Sequence, residues 1–135
     1  MDKMDKINGH PVKYIVNDNV VIAVIADCMN DVMTYVDDEY KIWLPIHNVR
    51  QDIELPYVLK SIAKCSPGDV FNEEIGKRIA YRRLQRKYWE KFADRLTKYL
   101  WIMQKESRKI LKDTGKFAAR ASNIDPLEGI VAHDD

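Results

Sequence analysis

The stretch from residue 72 to residue 112 constrains the fold of this chain more than any other part of its sequence. It contains no proline, and its single glycine is Gly76, near the start. Apolar side chains recur in it mostly at steps of three or four residues, at Ile75, Ile79, Leu84, Tyr88, Phe92, Leu96, Tyr99, Met103 and Ile110. This spacing predicts a long amphipathic helix.

The ends of this helix are indicated by local chemistry as well as by periodicity. Asn72 is a good N-cap residue, and Glu73 and Glu74 place negative charge in the first turn, where the helix dipole favours it. Phe71 precedes the cap and is expected to pack back on the first turn as a hydrophobic staple. Gly115 follows the last apolar residues and predicts a helix stop with a left-handed backbone.

The sequence leaves two arrangements of this helix open. A continuous helix over residues 72–112 would be about 60 Å long at 1.5 Å per residue, which exceeds the width expected for a small β-domain. The helix therefore either projects and pairs with a partner, or breaks near Ser107 and folds back as a hairpin. Tyr and Phe in its apolar seam favour packing on a sheet over a tight parallel coiled coil.

The residues before this helix predict a small antiparallel sheet. Candidate strands cover residues 12–16, 20–26, 32–36, 40–44 and 55–65. Residues 17–19, Asn-Asp-Asn, are turn formers, so the first two strands are expected to form a hairpin. For the last strand, a short helix over residues 57–64 is the alternative. Residues 46–54 fit a loop or an irregular strand.

The pattern as a whole predicts an α+β protein. A small antiparallel sheet of four to five strands within residues 12–65 is followed by a long basic amphipathic helix or helical hairpin over residues 72–112. A chain of 135 residues suits one domain with a modest core, here residues 12–112. Residues 1–11 are expected to form a flexible arm and residues 113–135 a C-terminal tail.

The net charge of +1 hides a segregation of charge along the chain. Residues 1–71 carry seven Lys/Arg against eleven Asp/Glu, residues 72–112 thirteen against five, and residues 113–135 two against five. The three segments therefore have net charges of −4, +8 and −3. The basic helix is expected to face an anionic ligand, or else the acidic segments of its own chain or of a second subunit.

The positive charge of the helix lies in two neighbouring rows. Arg78, Arg82 and Arg86 recur every four residues and share one face, which suits contacts with successive phosphates. Arg83, Lys87 and Lys91 form the second row, on an adjacent face. The predicted ligand- or partner-binding residues are Lys77, Arg78, Arg82, Arg83, Arg86, Lys87 and Lys91, with Tyr81 and Trp89 as surfaces for stacking. The alternative is a solvated face whose cations pair with acidic residues of the same helix.

The sequence carries no recognisable motif for catalysis or metal binding. The histidines are His10, His47 and His133, each isolated, and no HExxH, CxxC, GxSxG or phosphate-loop pattern occurs. Cys28 and Cys65 are far apart and are expected to be reduced, buried side chains. We therefore predict a protein that is not an enzyme and that has neither a cofactor nor a dedicated metal site.

The N-terminal segment is polar with mixed charges, which is not typical of a secretory signal. No apolar run approaches the ~20 residues that a membrane-spanning helix needs. These two features predict a cytoplasmic protein without membrane contact.

Residues 65–82 combine a Cys-x-x-x-Asp-x-Phe turn, formed by Cys65, Asp69 and Phe71, with a helix that has Gly76 near its start and Ile79-Ala80 one turn later. This combination resembles a run in small, mostly uncharacterised proteins of bacterial phages and prophages, in which a short antiparallel sheet precedes the same turn and helix. The resemblance implies a phage or prophage accessory protein in the cytoplasm of a bacterial host.

Together with the small size, the resemblance implies a non-enzymatic anti-defence inhibitor. Its basic helix is expected to bind a host protein or ribonucleoprotein effector of immunity, or a nucleic acid or nucleotide ligand of that effector. Three alternatives stay open. One is an oligomeric scaffold or regulatory protein that self-associates through residues 92–112, another is a DNA- or RNA-binding protein, and the third is a nuclease-like or other enzyme.

Overall fold

The computed structural model describes residues 5–40, 51–66 and 68–124. In chain order, the strands and helices of these ranges are β1 (Lys6–Ile7), β2 (His10–Pro11), β3 (Lys13–Asn17), β4 (Val20–Ala26), α1 (Asp31–Tyr40), β5 (Val58–Lys64) and α2 (Glu73–Ser122). Residues 51–53 are helical. The chain divides into two structural units, Met1–Tyr99 and Leu100–Asp135.

The predicted α+β class is confirmed, since small antiparallel sheets precede one long helix. The main sheet has three strands in the described residues, in the order β3-β4-β5, and is thus smaller than the four to five strands predicted. β3 and β4 form the predicted hairpin, in which Asn17 lies opposite Val20. Asp18 turns this hairpin with a φ of 52°, a conformation that Asp tolerates.

A second, two-stranded sheet lies within the predicted N-terminal arm. β1 and β2 pair antiparallel around Asn8 and Gly9, both of which have positive φ. Ile7 from this hairpin is buried in the core. The hairpin places His10 and Asn8 against the rest of the domain, which matters for the site described below.

The predicted third strand over residues 32–36 is wrong, because these residues belong to α1. Val32, Met33 and Val36 are buried, and a step of three to four residues brings such side chains to one face of a helix. Asp31 in the first turn of α1 is favoured by the helix dipole. Burial of this apolar face thus outweighs the β-propensity of its valines.

The other two predicted strands have different outcomes. The strand over residues 55–65 is confirmed as β5, in place of the alternative short helix. Of the strand over residues 40–44, Tyr40 is the last residue of α1, and residues 41–44 lie outside the described ranges. The loop or irregular strand considered for residues 46–54 is helical at residues 51–53, while residues 46–50 are also outside those ranges.

α2 begins as predicted and ends later than predicted. The Asn72 side-chain oxygen accepts a hydrogen bond from the Ile75 amide at 3.2 Å, which is the N-cap contact. The helix passes through Gly115 and ends at Ser122, so the predicted stop is wrong and no break occurs near Ser107. A glycine in a helix interior costs only about 1 kcal/mol, which neighbouring good helix formers offset.

The core of the Met1–Tyr99 unit is formed by the sheet, the hairpin and the two helices. α2 contributes Ala80, Leu84, Tyr88, Phe92 and Tyr99, all of them buried. At Gly76 the helix approaches β4 so closely that a Cβ would lie 2.7 Å from Val21 Cγ2 and 3.8 Å from the Phe71 ring. Glycine at this position therefore permits the close approach of α2 to β4.

Replacing Gly76 with alanine is expected to destabilise the protein, although alanine is the better helix former. Val21 is fully buried and β-branched, so its methyl group cannot move aside easily. Overpacking costs about 1–3 kcal/mol, against roughly 1 kcal/mol gained in helix propensity. Urea unfolding followed by circular dichroism measures the net loss.

Gly115 provides the matched control for this substitution. It lies in the same helix, and an added Cβ meets nothing within 4 Å. Gly115→Ala should therefore leave stability unchanged or raise it by up to about 1 kcal/mol. Equal stability of the two alanine variants would contradict the close contact between Gly76 and Val21.

Candidate functional site

Two of the predicted binding residues cover the exposed edge of β5. The Arg83 guanidinium donates to the Ile62 carbonyl oxygen at 2.9 Å, and the Lys87 ammonium donates to the Lys60 carbonyl oxygen at 2.9 Å. β5 is an edge strand of the described sheet, and such a strand presents carbonyl groups that need partners. These two cations therefore act on the protein's own backbone.

Three further predicted binding residues also have partners within the protein. Lys77 lies 3.8 Å from Glu73 and is placed over the Tyr14 ring, with only 13% of its side chain exposed. Arg86 forms a pair with Glu90 at 2.8 Å, four residues along the same helix. The Tyr81 hydroxyl donates to the Lys6 carbonyl oxygen at 3.0 Å, and this contact holds β1 against α2.

Arg78, Arg82 and Lys91 form no hydrogen bond or ion pair with any other described residue. Both arginines are exposed, and they lie one turn apart on the side of α2 that faces solvent. Trp89, seven residues after Arg82, is 48% exposed and packs one part of its ring against Tyr88 and Phe92. The free cationic surface of this unit's helix is thus narrower than its charge count indicates.

A polar cluster that no sequence pattern indicated lies at the other side of the same helix. Tyr88 is fully buried, and its hydroxyl donates to Asp31 Oδ2 at 2.5 Å while accepting from Asn8 Nδ2 at 2.7 Å. The same Asp31 oxygen lies 2.6 Å from His10 Nε2. The cluster joins the β1–β2 hairpin, the start of α1 and the middle of α2.

The electrostatics of this cluster follow from its burial and from Asp31. Burial, and then the hydrogen bond with Asp31, raise the pKa of the Tyr88 phenol far above its usual range, so Tyr88 stays neutral. Burial raises the pKa of the Cys28 thiol to about 11, with further contributions from the carboxylates of Asp31 and Asp27. A neutral, buried thiol is the opposite of an activated nucleophile.

His10, Cys28 and Asp31 converge at this cluster. The ring nitrogen, the sulfur and the carboxylate oxygen that they offer all lie within 4.8 Å of one another. The Asp31 amide also donates to the Cys28 carbonyl oxygen at 3.1 Å, which closes a tight turn between the two residues. Cys28 Sγ makes only a weak contact, at 3.7 Å, with the Ala26 carbonyl oxygen.

A groove of about 570 Å³ opens between α1 and α2 and reaches this cluster at Asp31. Its lining combines acidic, polar and aromatic side chains, namely Asn8, Asp31, Thr34, Tyr35, Asp38, Glu39, Trp89, Phe92 and Leu96. The groove therefore carries negative potential, in contrast to the arginines on the solvent side of α2.

The long separation of its members explains why sequence reasoning missed this cluster. Tyr88 was assigned to the apolar stripe of the helix, which is correct, but a buried tyrosine also needs a partner for its hydroxyl group. Its partners are 57 and 80 residues away in the sequence. His10 fell in a segment predicted as an arm, and Asp31 in a predicted break between strands.

Comparison of the chain with protein-family models, curated proteins and solved structures finds no match in any of them. Among the described residues, no helix has the length and apolar character that crossing a membrane requires. The resemblance to phage proteins therefore stays a prediction.

Substituting phenylalanine for Tyr88 is expected to destabilise the protein by about 1–3 kcal/mol, because Asp31 and Asn8 would each lose a hydrogen bond to a fully buried side chain. Tyr81→Phe is the matched control, since its hydroxyl bonds to the exposed Lys6 backbone, and should cost less. Chemical unfolding of the two variants measures the difference. Equal losses would show that burial of the Tyr88 hydroxyl group has no special role.

Proposed function

We propose that this protein is a non-enzymatic binding protein that engages nucleic acid through the arginine face of α2, defined by Arg78, Arg82 and Arg86. The observation that carries the proposal is that Arg78 and Arg82 are exposed on one face and have no partner among the described residues. Because these two arginines have no such partner, they lose no contact of that kind when they bind a phosphate.

The chemistry of the arginine face favours a nucleic acid over other anions. A guanidinium group binds a phosphate in a bidentate manner, and arginines four residues apart lie about 6 Å from each other along a helix. Trp89 adjoins the face and is half-exposed, which provides an aromatic surface on which a base could stack. An acidic protein surface would use the same charge but has no need of the exposed ring.

The non-enzymatic part of the proposal is supported by the state of the other reactive groups. The Cys28 thiol is buried and neutral, and the Tyr88 phenol is saturated by hydrogen bonds from within the chain. His10 is paired with Asp31. Groups that act as nucleophiles or bases need access and an appropriate ionisation state.

The phage-type resemblance of residues 65–82 supports a narrower form of the proposal. In this form the protein is an anti-defence inhibitor, and the nucleic acid or ribonucleoprotein bound by the arginine face belongs to a host immune effector.

Reversing the charge of Arg78 and Arg82 together to glutamate is expected to weaken nucleic-acid binding at least tenfold. Each lost phosphate contact should also reduce the slope of log affinity against log salt concentration by about 1. Fluorescence anisotropy with labelled single- and double-stranded DNA and RNA, at several salt concentrations, measures both quantities.

A double substitution of Lys13 and Lys64 to glutamate is the charge-matched control. Both lysines are exposed and belong to the sheet rather than to α2, and the net charge changes by the same amount. This control should retain binding. Equal loss in both variants would indicate a general charge effect, and wild-type protein that binds no nucleic acid would refute the proposal.

A second candidate function, self-association, is favoured by the helical residues of the Leu100–Asp135 unit. Leu100, Trp101, Ile110, Leu111 and Phe117 are all exposed, Trp101 by 69%. Residues 100, 103, 107, 110, 114 and 117 follow alternating steps of three and four residues, as the a and d positions of a heptad do. Four of these positions are apolar (Leu100, Met103, Ile110 and Phe117), and the other two are Ser107 and Thr114. By contrast, Phe92 and Tyr99 are buried within the other unit, so the proposed seam begins at Leu100 rather than at residue 92.

Aspartate at Phe117 or Ile110 is expected to convert an oligomer into a monomer, because it places a charge in the apolar seam. Light scattering across a range of concentrations measures the mass. Ala119→Asp is the control, since Ala119 lies outside the seam and the added charge is the same. Wild-type protein that is monomeric at every concentration would refute self-association, while nucleic-acid binding would remain to be judged separately.

A further inference from the structure

The polar cluster at His10 has the composition of a metal site as well as that of a hydrogen-bond network. Imidazole, thiol and carboxylate are the three donor types that bind Zn²⁺ in proteins. Here one of each converges from β2, from the β4–α1 turn and from the first residue of α1. Sequence patterns could not indicate this, because His10 lies 21 residues from Asp31.

We propose that His10, Cys28 and Asp31 form a three-ligand site for a divalent transition-metal ion of the Zn²⁺ type, with water in the fourth position. In tetrahedral coordination at ordinary Zn–N, Zn–O and Zn–S lengths, donor atoms lie about 3.3–3.8 Å apart. The donors here are all within 4.8 Å of one another. Small side-chain rotations therefore bring them to bonding distance.

The surroundings of Asp31 supply the outer contacts that metal ligands need. The Tyr88 hydroxyl donates to the Asp31 carboxylate, and Asn8 in turn donates to the Tyr88 oxygen. Hydrogen bonds of this kind orient a ligating carboxylate and strengthen metal binding. His10 Nε2 lies 2.6 Å from the same carboxylate oxygen, so a dication bound by both side chains would replace this direct contact.

The local charge also favours a cation. Asp27 and Asp31 lie near Cys28, and their carboxylates place negative charge beside its sulfur. This negative charge attracts a dication, whose two positive charges stabilise the thiolate. Asp38 and Glu39 add negative charge in the groove that reaches Asp31. The ion would also tie the β1–β2 hairpin to the start of α1.

Cobalt(II) is the probe that decides whether a thiolate binds, because a thiolate–cobalt bond gives a charge-transfer absorption band in the near ultraviolet. The chain has two cysteines, so in the Cys65→Ser variant Cys28 is the only thiol. We expect this variant to bind one Co²⁺ per chain with the thiolate band, and Zn²⁺ to displace it. Zn²⁺ should also raise the midpoint of thermal unfolding, since it binds the folded state.

Variants of the three ligands complete the experiment. Cys28→Ser should abolish the band, and His10→Gln and Asp31→Asn should each weaken Zn²⁺ binding at least tenfold. Asp31→Asn keeps a side-chain oxygen that can accept the hydrogen bond from Tyr88. It therefore remains a usable test of the site if Cys28→Ser does not fold. Absence of the band in Cys65→Ser, or Zn²⁺ affinity unchanged by both Asp31→Asn and His10→Gln, would overturn the proposal.

Discussion

The hydrogen bond from the Tyr88 hydroxyl to Asp31 connects most parts of the Met1–Tyr99 unit. A phenol that is fully buried must find a partner, since an unmet hydroxyl costs several kcal/mol in an apolar interior. Asp31 provides that partner only because α1 begins at this residue, and Asn8 provides a second only because the β1–β2 hairpin folds over the helix. One side chain of α2 thus specifies where two other elements must lie.

Some elements can be predicted from the chemistry of neighbouring residues. Others depend on long-range contacts, which the sequence pattern does not show. The N-cap at Asn72 and the β3–β4 hairpin were both predicted from neighbouring residues. α1 was taken for a strand because its valines favour β-structure, whereas their burial on one helix face decides the outcome. No periodicity could bring His10 to Asp31, because their proximity results from tertiary packing alone.

The positive charge of α2 serves more than one purpose. Arg83 and Lys87 bond to carbonyl groups of β5, and Lys77 lies against Glu73 and Tyr14. Counting cations in the sequence therefore overstates the surface left for a partner. What remains in this unit is a narrow face that includes Arg78 and Arg82, and Trp89 separates it from the acidic groove that reaches Asp31.

The contacts of Arg83 and Lys87 with β5 have a consequence for biosynthesis. A ribosome makes β5 before it makes α2, and at about 5–20 residues per second the cations follow their carbonyl partners after an interval on the order of seconds. During that time the β3–β4–β5 sheet can assemble while its outer edge stays uncovered. The nascent chain thus passes through a stage in which its edge strand is open to other strands, and emergence of α2 from the ribosome ends that stage.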